Sequence, residues 1–443
     1  MKHDSLFMAR ESKGGVWAGI GVVAIGLSVL FGVRPEANAQ DGPDPIFEKQ
    51  VPITMAELAK RKIDKVAAVE VSDYAYPGYT KGEFNADVNP RKAVIVSWER
   101  SPHQFVFAHE ASYCPLMMVP SGVGLCNQFF ESNRGWGELF NDSGRKERNS
   151  FVDIVQAGPQ RAWVRWNYYC VNREHDRQPC IRGVEDYIAY PNGLVWRRLC
   201  YDSLMPDKPD GYSIMPIDFF STIPPGVDWS TMVLRDEAHG DYHVAAVLDA
   251  ASEKRYDLFW RVGKQPEVDG KPSPQARRIG DNKLLQEIAK SPLGFAMVFP
   301  AKGGLMPFVV IGHASGFDRK KSQVVDHSKE HGDTGGWGWG NVEVDHWPVG
   351  WINSQCHIRE PDSPYPYCIC MLSHYIADPQ MPSKRYYWVL ADYMELNRWT
   401  EKHVYYALQG VGKDFESIRA VAKAWLEKGA QCATPESVEG LKP

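Results

Sequence analysis

Three segments of this chain collect residue types that move protons and hold anions. Residues 101–131, SPHQFVFAHEASYCPLMMVPSGVGLCNQFFE, carry His103, His109, Tyr113 and Asn127. RAWVRWNYYC carries Tyr168 and Tyr169, and DYIAYPNGLVWRR carries Tyr187, Tyr190, Arg197 and Arg198. Imidazole and phenol groups can act as general acids or bases. Guanidinium and amide groups stabilise negative charge that develops on a substrate. Glu110, Glu131, Glu185 and Asp186 keep a carboxylate pair available, which glycoside hydrolysis would need at a defined separation. Each histidine taken singly also fits an ordinary strand residue.

A second group lies further on, at His346, Cys356, His357, Cys368, Cys370 and His374. Neutral His and thiolate Cys are zinc ligands, and structural zinc sites use four of them. His346, Cys356, Cys368 and His374 are the candidate set. Their spacing matches no standard zinc module, and a Cys356–Cys368 disulfide with Cys370 buried is the competing reading. The P-loop, HExxH and nucleophile-elbow signatures are absent. GGWGWG at 335–340 lacks the strand–helix setting of a dinucleotide site and reads as a glycine-aromatic loop.

The elements that must position these residues are mostly strands. AVIVSW (93–98), QFVFAH (104–109), FVDIVQ (151–156) and RAWVRWNYYCV (161–171) are β-branched and aromatic. Residues 185–201 read as a hairpin turning at Pro191-Asn192-Gly193. Residues 241–263 read as another, turning near Ala251-Ser252-Glu253. Strand side chains alternate, which predicts that Arg197 and Arg198 face opposite sides and that Tyr168 faces away from Tyr169. Helical spacing is confined to residues 54–66, to Leu284-Leu285-Ile288, and to a C-terminal helix with Asp414 as N-cap and Gly429 as stop.

The chain has 443 residues, 44% hydrophobic and 24% charged, with 15 Trp, 20 Tyr, 18 Phe, 38 Gly and 31 Pro. Such usage fits a large β-rich globular protein and excludes a disordered or collagen-like one. A net charge of -5 leaves no basic field for nucleic acid. A basic start, an apolar run from Val16 to Val33 and Ala37-Asn38-Ala39 match a secretory signal cleaved before Gln40. An uncleaved anchor is the alternative, because the apolar run approaches a spanning length. Residues 1–39 hold four basic and three acidic side chains, so their removal leaves -6. The expected compartment is periplasmic or extracellular, without a stable membrane span after cleavage. It is oxidising, and Cys170–Cys180 is the preferred disulfide.

The succession SPHQFVFAHEASYCP…NQFFE, RAWVRWNYY, EDYIAYPNGLVWRR, DHWPVGWINSQ and MLSHYI resembles exported bacterial polysaccharide lyases of the ulvan-lyase type. The likeness spans roughly residues 90–400 as scattered short motifs. Where that family carries Trp-Arg after its FVF strand, this chain has Ala108-His109. The resemblance implies an all-β, seven-bladed β-propeller with short N-terminal and C-terminal helices. It also implies a division into a signal at 1–39, an extension at 40–90, a catalytic propeller at 91–410 and a C-terminal helix and tail at 411–443. The implied activity is β-elimination on a uronate-containing, sulfated polysaccharide, with no cofactor in the chemistry and at most a structural zinc. In that chemistry Tyr169 acts as base or acid with His109 or His103 as partner. Arg198 and Asn127 neutralise the uronate carboxylate, and Tyr190 and Tyr113 contact substrate. Arg161, Arg165, Arg173, Arg177, Arg182, Arg197 and Arg198 are candidates for a basic groove, and Trp136 and Trp163 for sugar stacking. A non-catalytic propeller that binds glycan or protein at the cell envelope is the alternative.

Overall fold

The computed structural model describes residues 47–74, 92–109, 113–127, 131–132, 137–138, 150–172, 179–203, 212–222, 229–238, 240–262, 267–268, 271–272, 276–279, 281–314, 322–326, 371–378 and 404–443. Within them, β-branched and aromatic runs form antiparallel strands, and helices are few. The runs AVIVSW and QFVFA become Ala93–Trp98 and Gln104–Ala108. The two expected hairpins are present as Pro179–Ala189 with Val195–Ser203, and Asp241–Asp249 with Arg255–Val262.

The strands collect in two large sheets and a two-stranded ribbon. The nine-stranded sheet runs through Val66–Val71, Ala93–Trp98, Gln104–Ala108, Pro115–Met118, Gly124–Asn127, Tyr212–Thr222, Met371–Asp378 and Ser322–Asp326. The twelve-stranded sheet carries Ala162–Asn172, Pro179–Ala189, Val195–Ser203, Val404–Gly412, Met306–Ala314, Phe295–Val298 and Asp241–Asp249 side by side. Among the described residues the four-stranded blades of a propeller are not seen. Val404–Gly412 inserts between Val195–Ser203 and Met306–Ala314 and joins distant hairpins in one sheet.

The sheets lie face to face over a shared core. Phe105 and Phe107 of the first sheet pack on Tyr187 of the second, with ring centroids 5.3 and 5.1 Å away. Trp98 donates its indole N–H to the Tyr190 carbonyl at 2.7 Å. The other face of the twelve-stranded sheet is covered in part by the helix Phe415–Leu426, which buries Ile418, Val421, Ala422, Trp425 and Leu426. Asp414 caps its start, accepting from the Ser417 N–H at 2.7 Å. Gly312 lets this helix approach, since a Cβ there would come within 2.7 Å of the Trp425 ring and 2.4 Å of the Tyr406 carbonyl. Burying side chains of this size contributes about 1.5–3 kcal/mol each.

The N-terminal helix differs from expectation. It spans only Met55–Lys60, with a Thr54–Glu57 capping box. Val66–Val71 is instead a strand, because it pairs along its whole length with Ala93–Trp98. No described helix is long and apolar enough to cross a membrane.

Candidate functional site

The hairpin Pro179–Ala189/Val195–Ser203 organises the polar residues. Its turn closes as the sequence predicts: Gly193 has φ +85°, its N–H donates to Tyr190 O at 3.0 Å, and Asn192 Oδ1 accepts from the Leu194 N–H at 3.2 Å. That closure sets Asp186 opposite Arg198 and Tyr187 opposite Arg197. Adjacent residues then point to opposite faces of the sheet.

The inward face carries a sealed cluster. Glu185 accepts from Arg197 Nε at 2.6 Å, from the Tyr168 hydroxyl at 2.8 Å and from the Tyr187 hydroxyl. Glu185 and Arg197 are fully buried, and both tyrosines are 1% exposed. Burial pushes the Tyr187 phenol well up, against the pull of Arg197. A phenol in that state is a hydrogen-bond donor and not a base. Gly183 is required here, since a Cβ on it would lie 2.3 Å from the Tyr168 ring.

The outward face carries a second cluster that reaches solvent. Asp186 accepts from Trp163 Nε1 at 2.8 Å, Arg165 Nε at 2.7 Å and Arg198 Nη2 at 2.6 Å. Burial pushes the Asp186 carboxyl up, but Arg198 and Arg165 outweigh it and hold the group below its ordinary range. Asp186 is thus a clamped anion that fixes two guanidiniums. The Arg198 side chain is 34% exposed, and its bonds to Asp186 use Nε and Nη2, with Nη1 outside the pair. Arg165 lies over the Trp163 ring at 5.3 Å. Asp153 stands opposite Arg165 on one flank, and Tyr406 opposite Arg198 on the other. This arrangement can hold an anion beside aromatic surface.

His103, His109 and Tyr113 of the expected set do not lie around Arg198. His103 is buried in the junction between the sheets, stacked on Trp98 at 4.1 Å with Ser101 bonded to its Nδ1. Burial lowers its pKa to about 4, with the Gly193 backbone opposing. His109 and Tyr113 follow the Gln104–Ala108 strand of the nine-stranded sheet, their rings edge to face at 5.6 Å. Tyr113 takes a left-handed backbone, φ +62°, uncommon for a residue with a side chain. The twelve-stranded sheet therefore stands between Arg198 and this histidine strand, and Arg197 is the arginine on the side facing it. Tyr190 is 3% exposed and packs in the outer core. Its phenol is pushed up to about 12 by burial and Glu436, with Arg161 opposing. The backbone sets Tyr169 opposite Arg182 and Asn127 opposite Phe219, and the side chains of Tyr169 and Asn127 lie outside the described residues.

His346, Cys356 and Cys368 also lie outside the described residues. His374 is 2% exposed. Its Nε2 is 2.6 Å from Ser322 Oγ and its Nδ1 3.3 Å from the Tyr405 hydroxyl. Both nitrogens are engaged by hydroxyls. Among the described residues no group of three or more His, Cys, Asp or Glu is placed to hold a metal.

Reasoning from residue types passed over Trp163 and Arg165 as partners of Asp186. Counting back from the PNGL turn would have found the Asp186–Arg198 pair. Arg165 joins through a third strand whose register no local motif encodes.

No protein-family model matches the chain, and no curated protein matches it. Among solved structures, galactose 1-epimerase from Lactobacillus acidophilus NCFM aligns over 79% of this chain and 99% of its own length, at 7% identity and a TM-score of 0.32. An overlap at that score carries no argument about fold or activity.

Proposed function

We propose that this chain is an exported protein that binds an acidic polysaccharide on the outward face of the Arg165–Asp186–Arg198 cluster. The observation that supports it is the Arg198 guanidinium, anchored by a buried carboxylate yet one-third exposed beside Trp163 and Tyr406. A fixed cation loses little side-chain freedom when it meets a carboxylate or sulfate. Aromatic neighbours supply the apolar surface on which a sugar ring can rest. The secretory-type N-terminus supports export to a compartment where such polymers occur. The reading needs no bladed architecture.

Cleavage by β-elimination is the second reading. What favours it is the backbone position of Tyr169, on the same strand as Arg165 and opposite Arg182. In that reading Tyr169 removes the proton next to the uronate carboxylate, and an arginine stabilises the charge that develops.

One titration separates these outcomes. Acidic and neutral polysaccharides are offered to the protein while binding and the ultraviolet absorbance of an unsaturated uronate are followed together. Binding of the acidic polymers, weakened by salt and by Arg198→Ala, is the expected result. Growth of the absorbance adds the lyase. Equal binding of neutral polymers, or binding untouched by Arg198→Ala, overturns the assignment of this face.

A further inference from the structure

The backbone brings two cysteines together at one irregularity in the twelve-stranded sheet. Strands Ala162–Asn172 and Pro179–Ala189 pair antiparallel, with Val171 opposite Pro179 and Cys170 opposite Ile181. The register shifts between those two pairs. Continuing inward from Pro179, the next residue, Cys180, falls opposite Cys170. Continuing outward from Ile181, Cys180 would fall opposite Val171 and on the other face. A β-bulge resolves the conflict by letting two residues of one strand oppose a single residue of its partner. Cys180 is the extra residue of this bulge, set between the positions that face Val171 and Cys170.

This placement suits a covalent bond. Cross-strand neighbours in an antiparallel pair have Cα atoms about 4.5–5.5 Å apart where they are directly opposed, and the roughly 4.4–6.8 Å that a disulfide spans leaves room for the offset of a bulge residue next to that position. Cys114, Cys200 and Cys432 are buried elsewhere in the fold, and Cys126 lies on Gly124–Asn127 of the other sheet.

We propose that Cys170 and Cys180 are joined by a disulfide that locks the bulge and, with it, the register of the outward face. A slip of one residue would turn every side chain beyond the bulge to the opposite face. The locked register is the one that sets Tyr169 opposite Arg182 and Arg165 opposite Asp186. Formation is a thiol–disulfide exchange with an external disulfide of the dithiol-oxidoreductase or oxidised-glutathione class. One cysteine thiolate attacks that disulfide and expels a thiolate. The second cysteine then attacks the mixed disulfide and expels the other. The two cysteines lose two electrons and two protons, and the external disulfide leaves as two thiols. The bridge does not depend on what the outward face binds.

The test is peptide mapping of the full chain recovered from an oxidising compartment, unfolded and alkylated without reductant, then cleaved after lysine and arginine. Arg165, Arg173, Arg177 and Arg182 place the cysteines on separate peptides, WNYYCVNR and QPCIR. The expected result is one linked species, lighter by two hydrogens than the two peptides together, which separates on reduction. In Cys180→Ser protein, Cys170 should become alkylated. Finding both native peptides alkylated singly, or either one linked to a different cysteine, overturns the proposal.

Discussion

Arg197 and Arg198 are neighbours in the chain, yet they end on opposite faces of one sheet, each pairing with a different member of the adjacent carboxylates Glu185 and Asp186. Arg197 Nε meets Glu185 Oε2 at 2.6 Å with neither side chain exposed, and Arg198 Nη2 meets Asp186 Oδ2 at 2.6 Å with the arginine 34% exposed. The same pairing chemistry serves the interior on one side and a solvent-facing site on the other. This contrast sets the first expected outcome.

Arg197→Met should destabilise the fold by about 3–5 kcal/mol, because it strands the Glu185 carboxylate in a dry core. Arg198→Ala should cost only about 1 kcal/mol, the range for a partly exposed pair, while weakening acidic-glycan binding. Denaturant titration of both variants checks the split. Similar losses of stability would mean that the two faces are not energetically distinct.

His103 should make stability depend on pH. Its folded pKa is lowered to about 4 from 6.5, first by burial. Above pH 6.5 both folded and unfolded forms are neutral and the group has no effect. As pH falls from 6.5 to 4, the unfolded chain takes up the proton first. Stability should then drop by about 1.4 kcal/mol per pH unit, approaching about 3 kcal/mol. Thermal unfolding of wild-type and His103→Gln protein across this window should show a shallower slope for the variant. Parallel curves would exclude His103 as the source.

Gly183→Ala should destabilise by about 1–3 kcal/mol through overpacking, because its Cβ would strike the Tyr168 ring. In a Tyr168→Leu background that cost should shrink, since the obstructing ring is gone. Denaturant unfolding of the two singles and the double supplies the coupling. An unchanged cost would place the strain elsewhere.

Gln409 lies fully buried on Val404–Gly412 with no hydrogen-bond partner for either polar side-chain atom among the described residues. Gln409→Met, close in volume and apolar, should therefore stabilise the protein by about 1–2 kcal/mol. A loss of stability would show that the amide has a partner after all.

Much of the strand pattern was legible in the chain itself. AVIVSW, QFVFA and the two hairpins announce themselves through β-branched and aromatic runs bounded by turn residues, and Asp414 marks the start of the last helix. The PNGL turn also fixes, by counting, that Asp186 meets Arg198 and that Arg197 faces the other way. These are local features, set by side-chain alternation and turn closure over a few residues.

Only the tertiary structure decided which strands are neighbours, and that decision shapes the site. Val404–Gly412 pairs with Val195–Ser203 across roughly two hundred residues of chain, and a contact so distant leaves no local signature. The same long-range pairing merges hairpins into two large sheets and puts His103, His109 and Tyr113 on the far side of a sheet from Arg198. Residue types alone had grouped them together. Alternation along a strand says that two faces exist, while the packing of the sheets decides which face becomes core and which meets solvent.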